Sequence, residues 1–449
     1  MNQKTQEFGS LSGPQAYRNT SHSTRLYQQP VVMRLIHCVW AMCALLILPV
    51  LAQKPQLPLF STSRWITDSS NKRVKLRCIN WAGHMEVNLP EGLHKQPIEY
   101  LADWIKQEGF NCVRLTYSTD HALNPGVKVR DSFVNGARAA GVPEADLLRL
   151  YDQAVQKNPF LADPGVTQRD VFSRVIDVLW DRGVMTVLDN HVSRASWCCN
   201  LDDGNGWWKD ARFYWAANSR YFDTDDWLAG LQQVSLWAKT RPGVAAISLR
   251  NELRATWTQI PFAADQWYGY VTRGAKVVHE ANPDVLVIIG GLNSATDFVP
   301  LRTRSLDTAA WRGKNVWEAH SYSFTVTTPN FGDCNVERTQ YGALFGFVLE
   351  QGKAYTGPLF MSEFGVAMSG GPEDGLSAEE HAYLTCLVGY LEGNDADWAL
   401  WAIQGTYYVR NKVVDFDETW GAMDHEWKGW RNPAFKGMLG NIFVVTQGP

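Results

Sequence analysis

Three observations on the sequence predict a (β/α)8 barrel. Eight short apolar segments recur along the chain, and each has the length and the branched residues of a buried strand. Amphipathic segments with helical spacing separate most of them, and such alternation is typical of parallel α/β folds. Six of the eight segments carry or end in polar side chains, which gather at the carboxyl ends of barrel strands in this fold.

In chain order, an entry hairpin is expected at 64–68 and 74–81, around a turn at 69–72. Its second arm leads into the first barrel strand. The later strands are predicted at 112–117, 184–191, 245–252, 285–290, 316–320, 358–363 and 397–403. Helices are predicted at 97–108, 171–182, 227–239, 265–280, 341–351 and 377–392, and the long insertion 118–165 should hold one or two short helices. A doubly wound sheet is the alternative, but no G-x-G-x-x-G or P-loop follows any strand.

Composition limits the class of protein. Hydrophobic residues make up 45% of the 449 residues and charged residues 20%, which is typical of a globular chain. The formal net charge is −4 without any basic run, so a nucleic acid is not an expected partner. The chain has 20 Trp, which either fill the core or form stacking surfaces for flat apolar faces such as sugar rings.

The N-terminal region differs from the rest of the chain. Residues 1–32 are polar and aperiodic, and we expect disorder there or an over-long gene start, because Met33 and Arg34 form a natural beginning. Residues 33–52 combine a basic residue, an apolar core and a small residue at Ala52, which is typical of a secretory signal peptide. A signal-anchor is the alternative, and only then would a membrane be a partner. Residues 53–449 are expected to form one secreted, monomeric domain.

The cysteine pattern favours export. Removing the apolar segment leaves six cysteines, an even number that is typical of disulfide-bonded exported chains. Their spacings match no zinc pattern. From loop placement we expect Cys198 or Cys199 to pair with Cys334. Cys386 falls inside a predicted helix, where a buried free thiol is expected.

The polar residues of the strand segments form the candidate site. A single histidine at a strand end is more often structural than catalytic, but six strands that end this way are hard to explain by packing. These residues are Arg114 on the second strand, His191 on the third, Asn251 and Glu252 on the fourth, His320 and Tyr322 on the sixth, Glu363 on the seventh and Trp401 on the eighth.

Two glutamates facing each other across such a mouth suit glycoside hydrolysis, because one can protonate the leaving oxygen while the other attacks or activates water. The alternatives for a glutamate pair are enolisation and metal binding, in which His191 or His320 could be a third ligand. The aromatic content favours sugar, and no cofactor or metal is expected.

The order of these residues resembles glycoside hydrolase family 5, the cellulase family of retaining (β/α)8 enzymes. The similarity runs from about residue 65 to about residue 433. Three stretches resemble a plant and fungal branch of that family: Leu188-Asp-Asn-His191 leading to Trp197-Cys-Cys199, Ser248-Leu-Arg-Asn-Glu-Leu-Arg254, and Asp397-Trp-Ala-Leu-Trp401 leading to Gly405-x-Tyr-Tyr408.

The resemblance implies a role for each site residue. Glu252 would be the general acid/base and Glu363 the nucleophile, with their carboxyl groups about 5–5.5 Å apart. Asn251 would bind the sugar 2-hydroxyl, and Arg114 and Tyr322 would keep Glu363 ionised. His191 and His320 would line the reacting subsite, and Trp401 would form its floor. On physical grounds Glu252 should occupy a less polar niche than Glu363, so that it stays protonated.

Together with the signal-like segment, the resemblance implies a secreted retaining hydrolase of a β-linked poly- or oligosaccharide, similar to cellulose or another β-glucan. A transglycosylase with the same residues and a non-catalytic carbohydrate-binding barrel are the alternatives. Further aromatic residues in the flanking loops would either form outer sugar subsites or pack against the barrel rim; these are Trp197, Trp207, Trp208, Trp215, Trp257, Tyr407 and Tyr408.

Overall fold

Eight parallel strands close into a barrel within residues 54–325 and 332–449, the parts of the chain that the computed structural model describes. A separate antiparallel hairpin precedes them, formed by β1 (Phe60–Thr62) and β2 (Trp65–Thr67). The barrel strands follow in chain order: β3 (Arg77–Trp81), β4 (Cys112–Ser118), β5 (Met185–Val192), β6 (Val244–Ser248), β7 (Leu286–Gly290), β8 (Asn315–Ser321), β9 (Leu359–Phe364) and β10 (Asp397–Leu400). Each pairs with its chain neighbours, and β10 closes the barrel onto β3. The predicted fold class is confirmed.

Helices cover the outside of the barrel. Those predicted between strands are present at Ile98–Gln107, Gln168–Asp181, Thr224–Ala238, Ile260–Ala281 and Ala378–Asn394. The helix expected at 341–351 instead spans Cys334–Leu344 and is followed by a 3-10 turn at Gly346–Leu349. Its start is fixed by Asp333, whose side chain accepts from the backbone N–H of Asn335 and caps the helix.

The insertion after β4 is more helical than expected. It contains the α-helices Thr119–Leu123, Val129–Ala140 and Glu144–Lys157 and the 3-10 turn Pro159–Ala162. Shorter elements elsewhere are Ala216–Ser219, Leu292–Ala295, Val299–Arg302, Ala309–Trp311, Phe435–Met438 and Gly440–Phe443, and a second hairpin follows the barrel with β11 (Thr406–Arg410) and β12 (Val413–Asp417).

The entry hairpin is present, with a different pairing from the expected one. The strands β1 and β2 pair across Ser63 and Arg64, so a strand precedes the segment that the sequence suggested. The turn expected at 69–72 also forms, because the Asp68 backbone N–H donates to the carbonyl of Lys72 and Asp68 caps the turn with its side chain.

Side chains alternate between two apolar regions along each barrel strand. On β4, Val113 and Leu115 pack outward against the helices, whereas Cys112 belongs to a smaller apolar cluster shared by several barrel strands. Arg114 is spaced two residues from Cys112 and therefore lies on the same inward face. This alternation places a buried cation inside the barrel, above the apolar layer.

The disulfides differ from the expected pairing. Cys78 bonds Cys112 across the paired strands β3 and β4, and Cys198 bonds its neighbour Cys199. Cys334 bonds Cys386, so the expected bridge from the Cys198–Cys199 loop to Cys334 and the expected free thiol at Cys386 are both wrong. The reason is that Cys334 begins a helix that packs against the helix Ala378–Asn394, which carries Cys386.

The extension at 1–32 and the signal segment at 33–52 lie outside the described residues, as do residues 326–331. From Lys54 to Pro449 the chain clusters as one unit. Among the helices described, none has the length and apolar character needed to cross a membrane.

Candidate active site

All eight residues of the candidate site meet at the carboxyl end of the barrel. Strands β4, β5, β8 and β9 carry four of them, and the others lie just after a strand. The strand containing Glu252 ends at Ser248, four residues earlier than expected, so this carboxylate is held by the loop that follows β6. A continuous set of contacts joins Arg114, His191, Asn251, Glu252, His320, Tyr322, Glu363 and Trp401.

The two glutamates are close together. One oxygen of Glu252, one of Glu363 and a ring nitrogen of His320 all lie within 4.8 Å of one another. Glu363 is the more enclosed, with a side chain that is 5% exposed against 15% for Glu252. This spacing between oxygens is shorter than the roughly 6.5–9.5 Å that separates the carboxyl groups of an inverting pair.

Two donors hold Glu363 in place. Arg114 Nη1 donates to Oε1 at 2.7 Å, and the Tyr322 hydroxyl donates to Oε2 at 3.0 Å. Both contacts were expected from the resemblance. The direction of the pKa shift of Glu363 was not expected. Burial raises this pKa above its ordinary value, His320 and Arg114 oppose the shift, and Glu252 adds to it.

His320 bridges the two carboxylates. Its Nδ1 lies 3.0 Å from Glu252 Oε1 and 3.7 Å from Glu363 Oε2. Burial disfavours a charged ring, but Glu363, Glu252 and Glu318 together outweigh it and raise the pKa of His320 to about 10. The imidazole is therefore a cation at neutral pH, and it donates to Glu252. Glu252 is thus more exposed than Glu363, but Glu363 contacts Arg114 and Tyr322 in addition to His320, so the expectation that Glu252 has the less polar niche stays a prediction.

A layer of buried charge, which the sequence patterns did not indicate, supports the site from below. Arg114 Nη2 lies 2.7 Å from Glu318 Oε1 and 3.0 Å from Asp189 Oδ1, and all three side chains are fully buried. Glu318 and Asp189 each precede a predicted site histidine by two residues on the same strand. The i, i+2 spacing that puts both residues on one face of a strand was the signal that could have found them.

The two buried carboxyl groups differ in pKa. Burial alone would raise the pKa of Glu318, but Arg114, His320 and a hydrogen bond from Ser248 outweigh it and lower the pKa to about 2. For Asp189, burial prevails over Arg114, and the neighbouring charge of Glu318 adds to it, so that its pKa rises to about 7. One charged and one readily protonated carboxyl group thus share the same guanidinium.

His191 and Asn251 are fixed by the same layer. His191 Nδ1 lies 2.7 Å from Asp189 Oδ2, and burial, together with Arg114 and His320, lowers the pKa of His191 well below its ordinary value. The ring is therefore neutral, and it stacks on Trp401 with centroids 5.4 Å apart. Asn251 Oδ1 accepts from Arg114 Nη2 at 2.8 Å, which turns the amide nitrogen toward His191.

A cleft of about 430 Å³ opens above these residues. Trp401 and Trp197 line it, together with Trp420 and Phe324, which the sequence analysis missed. Other lining side chains outside the predicted set are Cys198, Cys199, Asn200, Ser294, Thr325, Arg410 and Glu418. Arg410 lies over the Trp197 ring, 3.4 Å from its centroid, and pairs with Glu418.

The remaining aromatic residues do not line the cleft. Trp207, Trp208, Tyr407 and Tyr408 are fully buried, so they pack in the core rather than form sugar subsites. Trp215 and Trp257 are exposed, with Trp257 at 73%, but they are not among the side chains that line the cleft. Only Trp197 among the seven loop aromatics is placed to contact a ligand there.

Two groups in the described part of the chain bring metal-ligating atoms together. In one, His191 lies beside Cys198 and Cys199, whose sulfurs are bonded to each other and so are not thiolate ligands. The other is Glu252, His320 and Glu363. In this group the His320 ring lies between the two carboxylates, 3.0 Å from an oxygen of Glu252 and 3.7 Å from an oxygen of Glu363.

The fold and site define a class of protein. A closed (β/α)8 barrel with two glutamates close together at its mouth, set in an aromatic-lined cleft, has the architecture of a glycoside hydrolase.

Comparison with known proteins gives the family. The sequence profile described as Cellulase (glycosyl hydrolase family 5) matches residues 68–406. A glycosyl hydrolase 5 family protein of Chamaecyparis obtusa is 39% identical over 430 residues, which cover 94% of this chain and 71% of that protein. The chain therefore belongs to glycosyl hydrolase family 5 and is a glycoside hydrolase.

More distant similarities agree with this fold. An endoglucanase of Paenibacillus polymyxa is 21% identical over 402 residues, covering 84% of this chain and 85% of that one. Among solved structures, an endocellulase of Pyrococcus horikoshii in complex with cellotetraose superposes with a TM-score of 0.65 at 17% identity, covering 87% of this chain and all of that one. The catalytic domain of the major endoglucanase of Xanthomonas campestris gives 0.63 at 20% identity, with 86% and 99% covered.

Proposed function

We propose that the protein is an exported retaining β-glycoside hydrolase that cleaves β-linked glucan chains by double displacement. The observation that carries this proposal is the distance of at most 4.8 Å between oxygens of Glu252 and Glu363. Retaining pairs are separated by about 5–5.5 Å, whereas inverting pairs need about 6.5–9.5 Å to admit a water molecule.

Glu363 is the proposed nucleophile. Its carboxylate attacks the anomeric carbon, and the bond from that carbon to the leaving oxygen breaks, so that a glycosyl ester forms on the enzyme. Hydrogen bonds donated to both of its oxygens, by Arg114 and Tyr322, favour the charged form over the neutral one and fix its direction. As the ester forms, Arg114 keeps its contacts with Glu318 and Asp189, so the cation stays paired throughout.

Glu252 is the proposed acid and base. It gives its proton to the leaving oxygen in the first step and takes a proton from water in the second, when that water displaces Glu363 from the sugar. Its greater exposure and its position on a loop leave it open to the leaving group and then to water. His320 donates to Glu252 and stabilises its carboxylate after Glu252 has given its proton to the leaving oxygen.

The other site residues are proposed to bind the sugar. Asn251 presents its amide nitrogen to the 2-hydroxyl of the reacting ring, a contact that strengthens in the transition state. The aromatic face of Trp401, backed by the neutral ring of His191, suits the apolar face of a sugar.

A β-linked glucan is the proposed substrate class. The chain's relative in Paenibacillus polymyxa is an endoglucanase, and the Pyrococcus horikoshii structure is an endocellulase with bound cellotetraose. An open cleft lined by Trp197, Trp401 and Trp420 is consistent with a chain of several sugar rings.

Export is proposed from the cysteines and the N-terminal sequence together. All six cysteines of the described residues are disulfide-bonded, and such bonds form and persist in oxidising compartments. The signal-like segment at 33–52 supplies the route. Mass spectrometry of the secreted protein tests this: a mature N-terminus at Gln53 supports cleavage after Ala52, whereas retention inside the cell contradicts export.

The activity test uses the full chain on a panel of β-glucans, mannan and aryl β-glycosides. Wild type should release sugar from at least one β-glucan, and Glu363→Gln should lose at least about 10³-fold in kcat because the nucleophile is gone. Binding of the same oligosaccharide to Glu363→Gln, measured by calorimetry, should persist. A silent wild type, or a variant that keeps a substantial share of the rate, would contradict the proposed mechanism.

A further inference from the structure

The disulfide between the adjacent residues Cys198 and Cys199 forms part of the cleft wall. Both residues line the cleft beside Glu252 and Glu363. Their sulfurs and a ring nitrogen of His191 lie within 4.8 Å of one another. The other two disulfides of the described chain lie elsewhere, one between barrel strands and one between outer helices. Nothing in the proposed chemistry yet uses this one.

The sulfurs contact the side chain of Asn251. Its Nδ2 lies 3.4 Å from Cys199 Sγ and 3.6 Å from Cys198 Sγ. The same nitrogen lies 3.4 Å from His191 Nε2, while Oδ1 is already engaged by Arg114. The amide nitrogen therefore rests on three long contacts, two of them to sulfur.

The disulfide also contacts the loop that carries Glu252. Arg254 Nη1 approaches Cys198 Sγ at 3.5 Å and donates to the backbone carbonyl of Glu252 at 2.7 Å. The guanidinium is anchored at its other end by Asp203, with contacts of 2.9 and 3.1 Å. The disulfide thus contacts both the side-chain amide of Asn251 and the arginine that supports the Glu252 backbone.

We propose that the Cys198–Cys199 disulfide is a positioning group that holds the Asn251 amide ready for the 2-hydroxyl of the substrate. This rests on the function proposed above. Sulfur is a weak hydrogen-bond acceptor, so the amide N–H groups are oriented without being strongly satisfied. A sugar oxygen can therefore replace a sulfur as the acceptor of one of these N–H groups, because only a weak hydrogen bond is lost. Because the two sulfurs are bonded within one small ring, they cannot rotate away, whereas a free thiol or a hydroxyl could.

The test compares two substrates on two enzymes. The double variant Cys198→Ala/Cys199→Ala and wild type are assayed on an aryl β-glucoside and on its 2-deoxy counterpart. We expect kcat/KM of the variant to fall about ten-fold on the glucoside, the size of one well-placed hydrogen bond, and much less on the 2-deoxy substrate. The matched control is Cys334→Ala/Cys386→Ala, which removes a disulfide that does not line the cleft and should affect both substrates alike.

A redox experiment checks the same point without a mutation. A dithiol reduces the disulfide to two thiols and is itself oxidised to a cyclic disulfide. Reduction should lower the glucoside rate of wild type selectively, reoxidation should restore it, and the double Ala variant should not respond in this selective way.

Equal losses on both substrates, or no loss on either, would overturn the proposed positioning role while leaving the proposed hydrolysis intact. A wild type that cleaves neither glucoside nor any β-glucan of the panel would instead overturn the proposed function, and this inference with it.

Discussion

The charge on His320 should make a pH-dependent contribution to stability. Its ring is 1% exposed and lies within 4 Å of oxygens of Glu252, Glu318 and Glu363, so solvent screens it little. These neighbours raise the pKa of His320 from 6.5 to about 10, although burial opposes them. A raised pKa means that the folded state binds this proton more tightly than the unfolded state does.

The sign and size of the effect follow from that difference. The stabilisation is fully present below about pH 6.5 and is lost as the pH rises through about 10. A difference of one unit between the folded and unfolded pKa corresponds to about 1.4 kcal/mol. The difference between 6.5 and about 10 therefore corresponds to about 5 kcal/mol in the free energy of unfolding. Replacing His320 by Asn removes the titrating group while keeping a polar side chain of similar size.

The assay is urea unfolding of wild type and His320→Asn at pH values from about 6.5 to about 9.5. The stability advantage of wild type should shrink by about 4 kcal/mol over that range. His381→Asn, on the outer helix Ala378–Asn394, controls for the substitution itself. An advantage that stays constant, or grows with pH, would refute the assignment of a charged ring between the two glutamates.

Three further outcomes follow from the same structure. Glu252→Gln should lower kcat by about 10³-fold on glycosides with poor leaving groups and far less on activated phenyl glycosides, whereas equal losses would contradict an acid role. Burial raises the pKa of Glu363, and the proposed nucleophile must be deprotonated to attack. As the pH falls, kcat/KM should therefore decrease with an apparent pKa above 4.5. A kcat/KM that stays constant down to pH 4.5 would contradict this. The Cys78–Cys112 bond closes a loop with a sequence separation of 34. Replacing both residues by Ala should therefore lower the free energy of unfolding by about 4 kcal/mol and leave kcat/KM unchanged. An unaltered urea midpoint would contradict this stabilising role.

The barrel could be predicted from the sequence because eight apolar segments recur, amphipathic segments separate most of them, and six of the eight carry or end in polar residues. All eight residues chosen on that basis meet at one mouth. The chain direction of parallel strands explains this, since their carboxyl ends all lie on one side of a closed sheet. The helix before the seventh strand was misplaced because its start depends on the capping residue Asp333 rather than on apolar spacing.

What the sequence did not indicate depends on three-dimensional packing. Glu318 and Asp189 lie inside apolar strands, where a carboxylate is costly unless a partner is present, and that partner, Arg114, is distant in sequence. The cysteine pairs depend on which loops and helices touch, and a bond between Cys198 and Cys199 requires no long-range contact. The balance between burial and charge at Glu363 is likewise a property of the assembled site.

The stereochemistry of the first product tests the central claim most directly. Proton NMR during the early phase of hydrolysis of a β-linked glucan oligosaccharide resolves the two anomers before they interconvert in solution. If Glu363 attacks the sugar and water then displaces it, two inversions leave the β-anomer as the first product. First appearance of the α-anomer would mean that a single displacement takes place, and it would contradict the assignment of Glu252 and Glu363 as a retaining pair.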